Sequence, residues 1–426
     1  MHKLGSINSV DLLVVGGGAA GFFAAVNCAE LNPNLRILIV EKSSHPLAKV
    51  LISGGGRCNL THACFDPALL VQYYPRGGAA LRGPFTRFQP RDTMTWFEAH
   101  GVRLKTEADG RVFPVTDSSQ TIVDCLLNAA EQAGVVLRTH CTVQSLTLTN
   151  EPDAHFQVVL HAADGSQELS AHSVLLATGG DRLGMQLATS LGHCLIPPVP
   201  SLFSFTLPDP RLEGLAGLSV PHARLKLLDE NGKMPRLAGV EQEGPLLVTH
   251  WGLSGPAVLR LSAWGARWLH ERQYHAGLTV NWLVKPLEAV QQKLREHKTA
   301  SSRYKVDSHS PFPELPFRLW QRLCTAASLH PEQNWADLSK AQLADLAGEL
   351  SAGRYHIQGK GQFKDEFVTC GGVDLDEVDF HTLRSRLVPG LYLAGEILDI
   401  DGLTGGFNFQ SAWTTGWLAA QAVASG

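Results

Sequence analysis

The spacing of apolar and polar positions changes several times along the chain, and each change marks an element. Val10 to Val15 is apolar except for Asp11, the pattern of a strand buried on both faces. Phe22 to Leu31 is rich in Ala and free of Pro and Gly, which predicts a helix. Ile37 to Val40 predicts a second buried strand, Ser173 to Leu176 a third, and Gly390 to Gly395 a strand and turn. Val135 to Leu146 predicts one strand, and His155 to Leu169 a hairpin turning at Asp164-Gly165. Phe407 to Ala424 predicts a closing helix.

The middle has another rhythm. From Pro197 to about Gly255, prolines and glycines punctuate short apolar segments, as in a compact all-β unit. Leu287 to His297, Phe317 to Leu329 and Ser339 to Leu350 predict helices, and Gly353 to Val368 a returning strand. The pattern predicts an α/β fold with a discontinuous Rossmann-like domain, residues 1–195 and 366–426, interrupted by a module over 196–365.

The chemistry sits where the glycines fall. Gly16-x-Gly18-x-x-Gly21 follows the first strand at once and opens the first helix through Ala19 and Ala20. Such glycines serve a tight turn, close backbone approach to a pyrophosphate, and close helix–strand packing. The helix start offers free N–H groups and the positive end of a dipole to phosphates. Glu41, twenty residues past Gly21 and followed by Lys42, stands where a ribose hydroxyl is expected. The plainer alternative is a glycine turn before a packed helix. Far along the chain, Gly405-Gly406 opens the last helix at Phe407 and Asn408. The two segments together, almost the whole chain apart, point to the two ends of FAD.

A second cluster lies between them. Lys49, Ser53, Gly55, Gly56, Arg57, Cys58 and Asn59 belong to one stretch in which Gly54 to Gly56 follow a serine and precede an arginine. Three glycines let backbone approach a ligand and donate N–H groups. Lys49 and Arg57 could neutralise phosphate, and Cys58 and Asn59 could lie near a flavin ring; the plainer alternative is a loop held by a structural Arg. Val143 is expected to bring backbone to the adenine, and Ala177-Thr178-Gly179 to end a strand near the nucleotide.

Composition narrows the class. At 426 residues the chain has room for two or three modules with ample core. Its net charge of −4 provides no global field for nucleic acid or membrane. The apolar run near the start is short, breaks into glycines and lacks a cleavage site, so no signal peptide is expected, and no run spans a bilayer. Eight scattered cysteines without a Cys-x-x-Cys pair fit reduced thiols in a cytoplasm, and no metal site is expected.

Five stretches together resemble the BaiN/RdsA-type NAD(P)/FAD-dependent oxidoreductases of bacteria. They are Lys49 to Asn59, Gly110-Arg-Val-Phe-Pro114, Leu247 to Ala257, Thr369-Cys-Gly-Gly-Val373, and Gly395-Glu396-Ile-Leu-Asp399 through Gly405 to Gln410. The resemblance implies bound FAD, an interrupted FAD domain, and an inserted small β-barrel with a helical module. It implies NADH or NADPH as a transient electron donor, because one dinucleotide fingerprint is present. It also implies reduction of a conjugated C=C bond, in a ring enone or a nucleobase of RNA; oxidation of a small amine is the alternative. The chain departs from the family in two places. The loop after Gly180 is cut short, and Leu47-Ala48 stands where the family usually has Gly-Arg.

Acid–base candidates are few. His250, in a family-matching loop, could carry a proton, and Cys58 could donate one; the plainer alternatives are a loop-holding histidine and an inert buried thiol. Asp399 and Asp401 could meet the cofactor through water or only cap a turn. Lys285, Lys293, Arg295, Lys298, Arg303 and Lys305 form a basic stretch that is an RNA-facing patch or simply a solvated helix face. The partner is thus a small-molecule substrate or ribosomal RNA, and the chain a monomer or homodimer. A reading from another class is a flavin-bearing RNA- or protein-binding factor without turnover.

Overall fold

The computed structural model describes residues 8–149, 155–163, 165–361 and 368–426. Two compact units emerge: Met1–Pro198 with Val368–Gly426, and Val199–Phe367 between them.

The first unit is built on one mixed sheet. Its strands are β1 (Ser9–Val15), β2 (Ile37–Val40), β3 (Val136–Arg138), β4 (Cys141–Leu148), β5 (Phe156–Ala162), β6 (Gly165–Leu176), β7 (Val378–Asp379), β8 (Arg384–Ser385) and β9 (Leu391–Leu393). The main order is β7-β8-β9-β6-β1-β2-β3, with β5 and β4 hung from β6. The strands from β9 to β3 run parallel. Parallel strands covered on both faces need continuous apolar runs, and Leu12 to Val15 and Ile37 to Val40 supply them, all buried. The chain proceeds from β1 to β2 on one side and places β6 on the other. A crevice therefore opens between β1 and β6 at their carboxyl ends, which is where open α/β sheets take ligands.

Two predicted strands differ in detail. Val135 to Leu146 is broken into β3 and β4 by His140, which adopts a left-handed φ of 52°. The break lets β3 stay beside β2 while β4 pairs antiparallel with β5. The hairpin of β5 and β6 forms, with Gly165 at φ 118°; Asp164 lies outside the described residues.

Helices α1 (Ala19–Leu31) and α3 (Phe407–Ala424) pack extensively on each other. They can touch because Gly416 has no side chain: a Cβ there would stand 2.7 Å from the Ala20 carbonyl oxygen. Phe23 of α1 fills the remaining space against Phe88, Trp96, Phe97 and Trp413. The stretch 67–99, whose short helices the sequence pattern did not indicate, supplies three of those rings, Trp96 and Phe97 from helix Pro90–Ala99 and Phe88 from the bend before it.

In the second unit the seven-stranded sheet runs in the order Gly353–Ile357, Ala276–Asn281, Ser219–Leu228, Glu241–Val248, Gly252–Ser254, Phe205–Thr206, Gly359–Lys360. Its two end strands are successive stretches of the chain, parted by Gln358. The three expected helices form as Leu287–Ala300, Phe317–Ala326 and Lys340–Ala352, the last begun by a Ser339 capping box. Two more, Pro256–Trp264 and Ala266–Glu271, follow the family-matching loop. The returning strand ends at Lys360 and a separate strand, Val368–Val373, belongs to the first unit; residues 362–367 lie outside the described residues.

Gly416→Val would force α1 and α3 apart. It should cost about 1–3 kcal/mol, as overpacking does, and lower the thermal midpoint. An unchanged midpoint would mean that the two helices tolerate separation.

Candidate functional site

The first glycine segment lies in the crevice between β1 and β6, and its three glycines differ in what surrounds them. Gly16 has φ 111°, and a Cβ there would meet the Ala177 carbonyl oxygen at 2.5 Å. A Cβ on Gly21 would sit 2.1 Å from the Gly16 carbonyl oxygen. These two glycines are demanded by the protein's own backbone. Gly18 is different: nothing stands within 4 Å of its absent Cβ. It precedes α1 in an extended conformation with no side-chain cap, so the first-turn N–H groups at Ala19, Ala20 and Gly21 have no acceptor within the helix. Open space beside uncapped N–H groups suits an anion.

Glu41 ends β2 beside this loop. Its carboxylate accepts from the Gly17 N–H and from the Ser43 N–H, each at 2.8 Å. It therefore braces the glycine turn from the side, while its remaining lone pairs can meet a ribose. Lys42 is paired with Asp181 at 2.5 Å, across the shortened loop after Gly180. Val143 lies buried in β4 with its backbone in register with Leu160 of β5.

The second cluster is α2 (Ala48–Gly56), a helix that kinks at its end. Ser53 is extended, and Gly54, Gly55 and Gly56 are left-handed at φ 57°, 68° and 82°. Gly55 and Gly56 again have nothing within 4 Å of a Cβ. Leu47 caps α2 with a left-handed φ of 59°, and its N–H donates to the Gly17 carbonyl at 2.8 Å. That φ is one glycine adopts more readily than leucine, and the Leu47 side chain is buried.

Three distant motifs meet next. The Lys49 ammonium lies 2.7 Å from Glu396, whose other oxygen accepts from the Thr369 N–H at 2.7 Å. A Cβ on Gly179 would approach that Glu396 carboxylate to 3.4 Å. The neighbouring Thr178 hydroxyl is buried and has no hydrogen-bond partner among the described residues. Gly395, at φ 77°, donates its N–H to Thr415 and lies against Ala20. Ala177, Thr178, Gly179, Gly395 and Glu396 are thus gathered at the same end of the sheet as Gly16.

At the far segment, Gly405 and Gly406 have φ 129° and 91°, and a Cβ on Gly406 would stand 2.6 Å from the Thr61 carbonyl. Asn59, with its amide in the orientation that satisfies both ends, accepts from the Gly406 N–H and donates to the Thr61 carbonyl. Asn408 is turned onto Gly402, bonding its N–H and its carbonyl at 2.8 Å each. Phe407 packs against both Tyr73 (4.2 Å) and His62 (4.8 Å), whose own rings lie 5.7 Å apart. The side chains of Asn408 and Phe407 therefore hold the loop.

Three candidates are placed in other work. Arg57 is paired with Glu107 and Asp117 and lies over Phe113 at 4.0 Å, so its charge is met by carboxylates. The Cys58 thiol is fully buried, and burial pushes it up to about 12. It is a neutral thiol enclosed by protein. Asp401 is also fully buried and ion-paired with Arg76, which ties the segment before Gly405 to the chain near residue 76. His250 lies in the second unit, exposed in the turn between strands Glu241–Val248 and Gly252–Ser254, and its ring has no partner among the described residues.

Sequence reasoning missed His62, Tyr73 and Arg76. His62 lies three residues past Asn59, so the motif could have been extended to it; its Nδ1 is buried without a partner among the described residues, and burial holds the imidazole below its usual range. Tyr73 and Arg76 lie in a stretch with no motif at all.

Open space beside Gly18, at the carboxyl end of β1, with uncapped N–H groups at the start of α1, fits the pyrophosphate of a bound dinucleotide. Fold and site define a Rossmann-type flavoprotein. The chain belongs to the family described as HI0933-like protein Rossmann domain, whose model matches residues 10–422. It is 30% identical to a ribosomal RNA dihydrouridine synthase of Escherichia coli K12, over 96% of this chain and 97% of that one. It is 29% identical to a 3-dehydro-bile acid delta(4,6)-reductase of Clostridium scindens, over 96% and 98%. Among solved structures, a 3-ketosteroid-delta4-(5alpha)-dehydrogenase of Rhodococcus jostii shares the fold, with TM-score 0.54, 14% identity and coverage of 99% and 98%. The chain is an FAD-dependent oxidoreductase of the BaiN/RdsA family. Among the described residues no helix is long and apolar enough to cross a membrane.

Gly18→Glu should leave the fold intact, because its Cβ meets nothing, yet reduce FAD retention at least about tenfold, the effect of roughly 1.4 kcal/mol of repulsion against pyrophosphate. The flavin absorbance of the purified variant measures this. Wild-type flavin content in the variant would move the pyrophosphate elsewhere.

Proposed function

We propose that the chain catalyses NAD(P)H-dependent reduction of a conjugated C=C bond in a ring, either a cyclic enone or a nucleobase of RNA. The observation that carries this reading is the glycine cradle at the β1–β6 crevice, a dinucleotide site served by one fingerprint. When bound there, FAD supplies hydride transfer at its ring. The two full-length relatives support the reaction class by their names, one a dihydrouridine synthase and one a delta(4,6)-reductase.

The roles of the residues follow from their surroundings. The turn from Gly16 to Gly21 and the start of α1 take the pyrophosphate. Glu41, already bracing Gly17, takes a ribose hydroxyl. Lys49 and Glu396 offer an ammonium and a carboxylate, paired with each other, along the same end of the sheet as Thr178. Gly55 and Gly56 cover the ligand with backbone, and Gly405 and Gly406 receive its flavin end. His250 is the proposed proton carrier, because it is exposed and unpartnered. Closure of the second unit's sheet into a small barrel through Gln358 belongs to the same reading, as does a cytoplasmic site of action.

Anaerobic mixing tests the reading. NADH or NADPH should bleach the flavin, and a ring enone or uridine-containing RNA should restore its colour. A flavin that neither donor bleaches, but that a small amine does, would replace the reductase with an oxidase. His250→Asn should slow the second half-reaction by about 10²–10⁴-fold, the usual contribution of a positioned acid. It should leave flavin reduction by the nicotinamide unchanged. Equal rates in both half-reactions would remove His250 from proton transfer.

A further inference from the structure

We propose that the open face of the second unit's seven-stranded sheet docks the phosphodiester backbone of RNA, centred on the row Lys226–Thr279–Arg354. The inference rests on the reading in which the reduced ring is a base of RNA.

Three neighbouring strands alternate between buried and open positions: Ser219–Leu228 from Ala223 to Leu227, Ala276–Asn281, and Gly353–Ile357. Leu225, Leu227, Leu278, Val280, Tyr355 and Ile357 enter the core. Arg224, Lys226, Thr279, Asn281, Arg354 and His356 take the other face. Lys226 is in register with Thr279, and Thr279 with Arg354; Arg224 is in register with Asn281. Residues directly opposite stand ~5 Å apart at Cβ, so an ammonium, a hydroxyl and a guanidinium lie side by side. They line a cleft of about 340 Å³, with Gly232 and Met234 at its rim.

The charge on this face is graded. Glu241 pairs with Lys226, and Glu243 with Arg224 and His222. Arg354, at the far side, is exposed and its guanidinium has no acid partner among the described residues; only its carbonyl is engaged, by Arg211. The Thr279 hydroxyl has no partner among them either. Lys233 and Arg236, on the loop that supplies the rim, are likewise exposed and unpaired. Residues 199–367 carry 20 Lys and Arg against 17 Asp and Glu, whereas the rest of the chain carries 16 against 23. The second unit is therefore the net-positive part of a net-negative chain.

The basic stretch from Lys285 to Lys305 is partly committed to partners within the protein. Lys285 is paired with Glu314, Lys305 with Glu332, and Lys298 with the Leu338 carbonyl, so half of its cations are engaged. The sheet row instead offers a free guanidinium beside a free hydroxyl, the groups that phosphate and 2′-hydroxyl oxygens take. Such contacts position RNA without reading its sequence.

The test uses the full flavin-loaded chain and a fluorescein-labelled, uridine-containing RNA hairpin, with anisotropy read over a salt series. Wild type should bind with a Kd that rises steeply with salt. Arg354→Glu should weaken binding at least ~10-fold, and Arg354→Gln should lower the slope of log Kd against log salt by about one. The pair Lys233→Glu and Arg236→Glu should weaken binding in the same way, with thermal midpoint and flavin content holding at wild-type values in all variants. Wild-type affinity and slope in these variants would overturn the docking face while leaving RNA as substrate. A wild-type protein that reduces a ring enone but neither binds nor reduces RNA would overturn the RNA reading itself.

Discussion

The contact on which the site depends is backbone against backbone. The Cα of Gly16 lies against the Ala177 carbonyl, and the Gly16 carbonyl in turn lies against the Cα of Gly21. Both approaches are shorter than any side chain allows. They close the carboxyl ends of β1 and β6 around the start of α1, and α1 is held from behind by the same device, Gly416 against the Ala20 carbonyl. Protein backbone fills the space at Gly16 and Gly21, whereas the space at Gly18 is open.

Around that contact the structure uses hydrogen bonds to fix loops, and several of these come from the very residues expected to touch cofactor. Glu41 braces Gly17, Asn59 braces Gly406, and Asn408 braces Gly402. A motif residue can be indispensable by shaping the cradle without contacting what lies in it. Cys58 and Arg57 make the same point from the other side: one is sealed in the protein and the other is neutralised by Glu107 and Asp117.

The strands and helices that carry the glycines were legible because their signals are local. An apolar run, a glycine turn and an Ala-rich helix need only neighbours in sequence to be read. The grouping of Lys49, Gly179 and Glu396 was legible only as membership of one site, since their contact is made across the sheet. The break at His140, the helices over 67–99, and the Arg76–Asp401 pair were not legible. Each is decided by tertiary packing: a strand that must serve two neighbours, aromatic rings that complete a core against Phe23, and a buried carboxylate that needs a cation. The partners of the basic stretch were not legible either, because charge counted along the chain does not show which cations have found acids.

The central claim is that the Gly16–Gly21 crevice holds an FAD that delivers electrons to a ring double bond. The most direct measurement is single turnover with the flavin reduced chemically, without any nicotinamide, under anaerobic conditions. Adding uridine-containing RNA or a ring enone should restore the oxidised flavin absorbance, with one C=C bond lost for each flavin reoxidised. A reduced flavin that stays reduced before every conjugated acceptor, and returns only on admission of oxygen, would contradict the account.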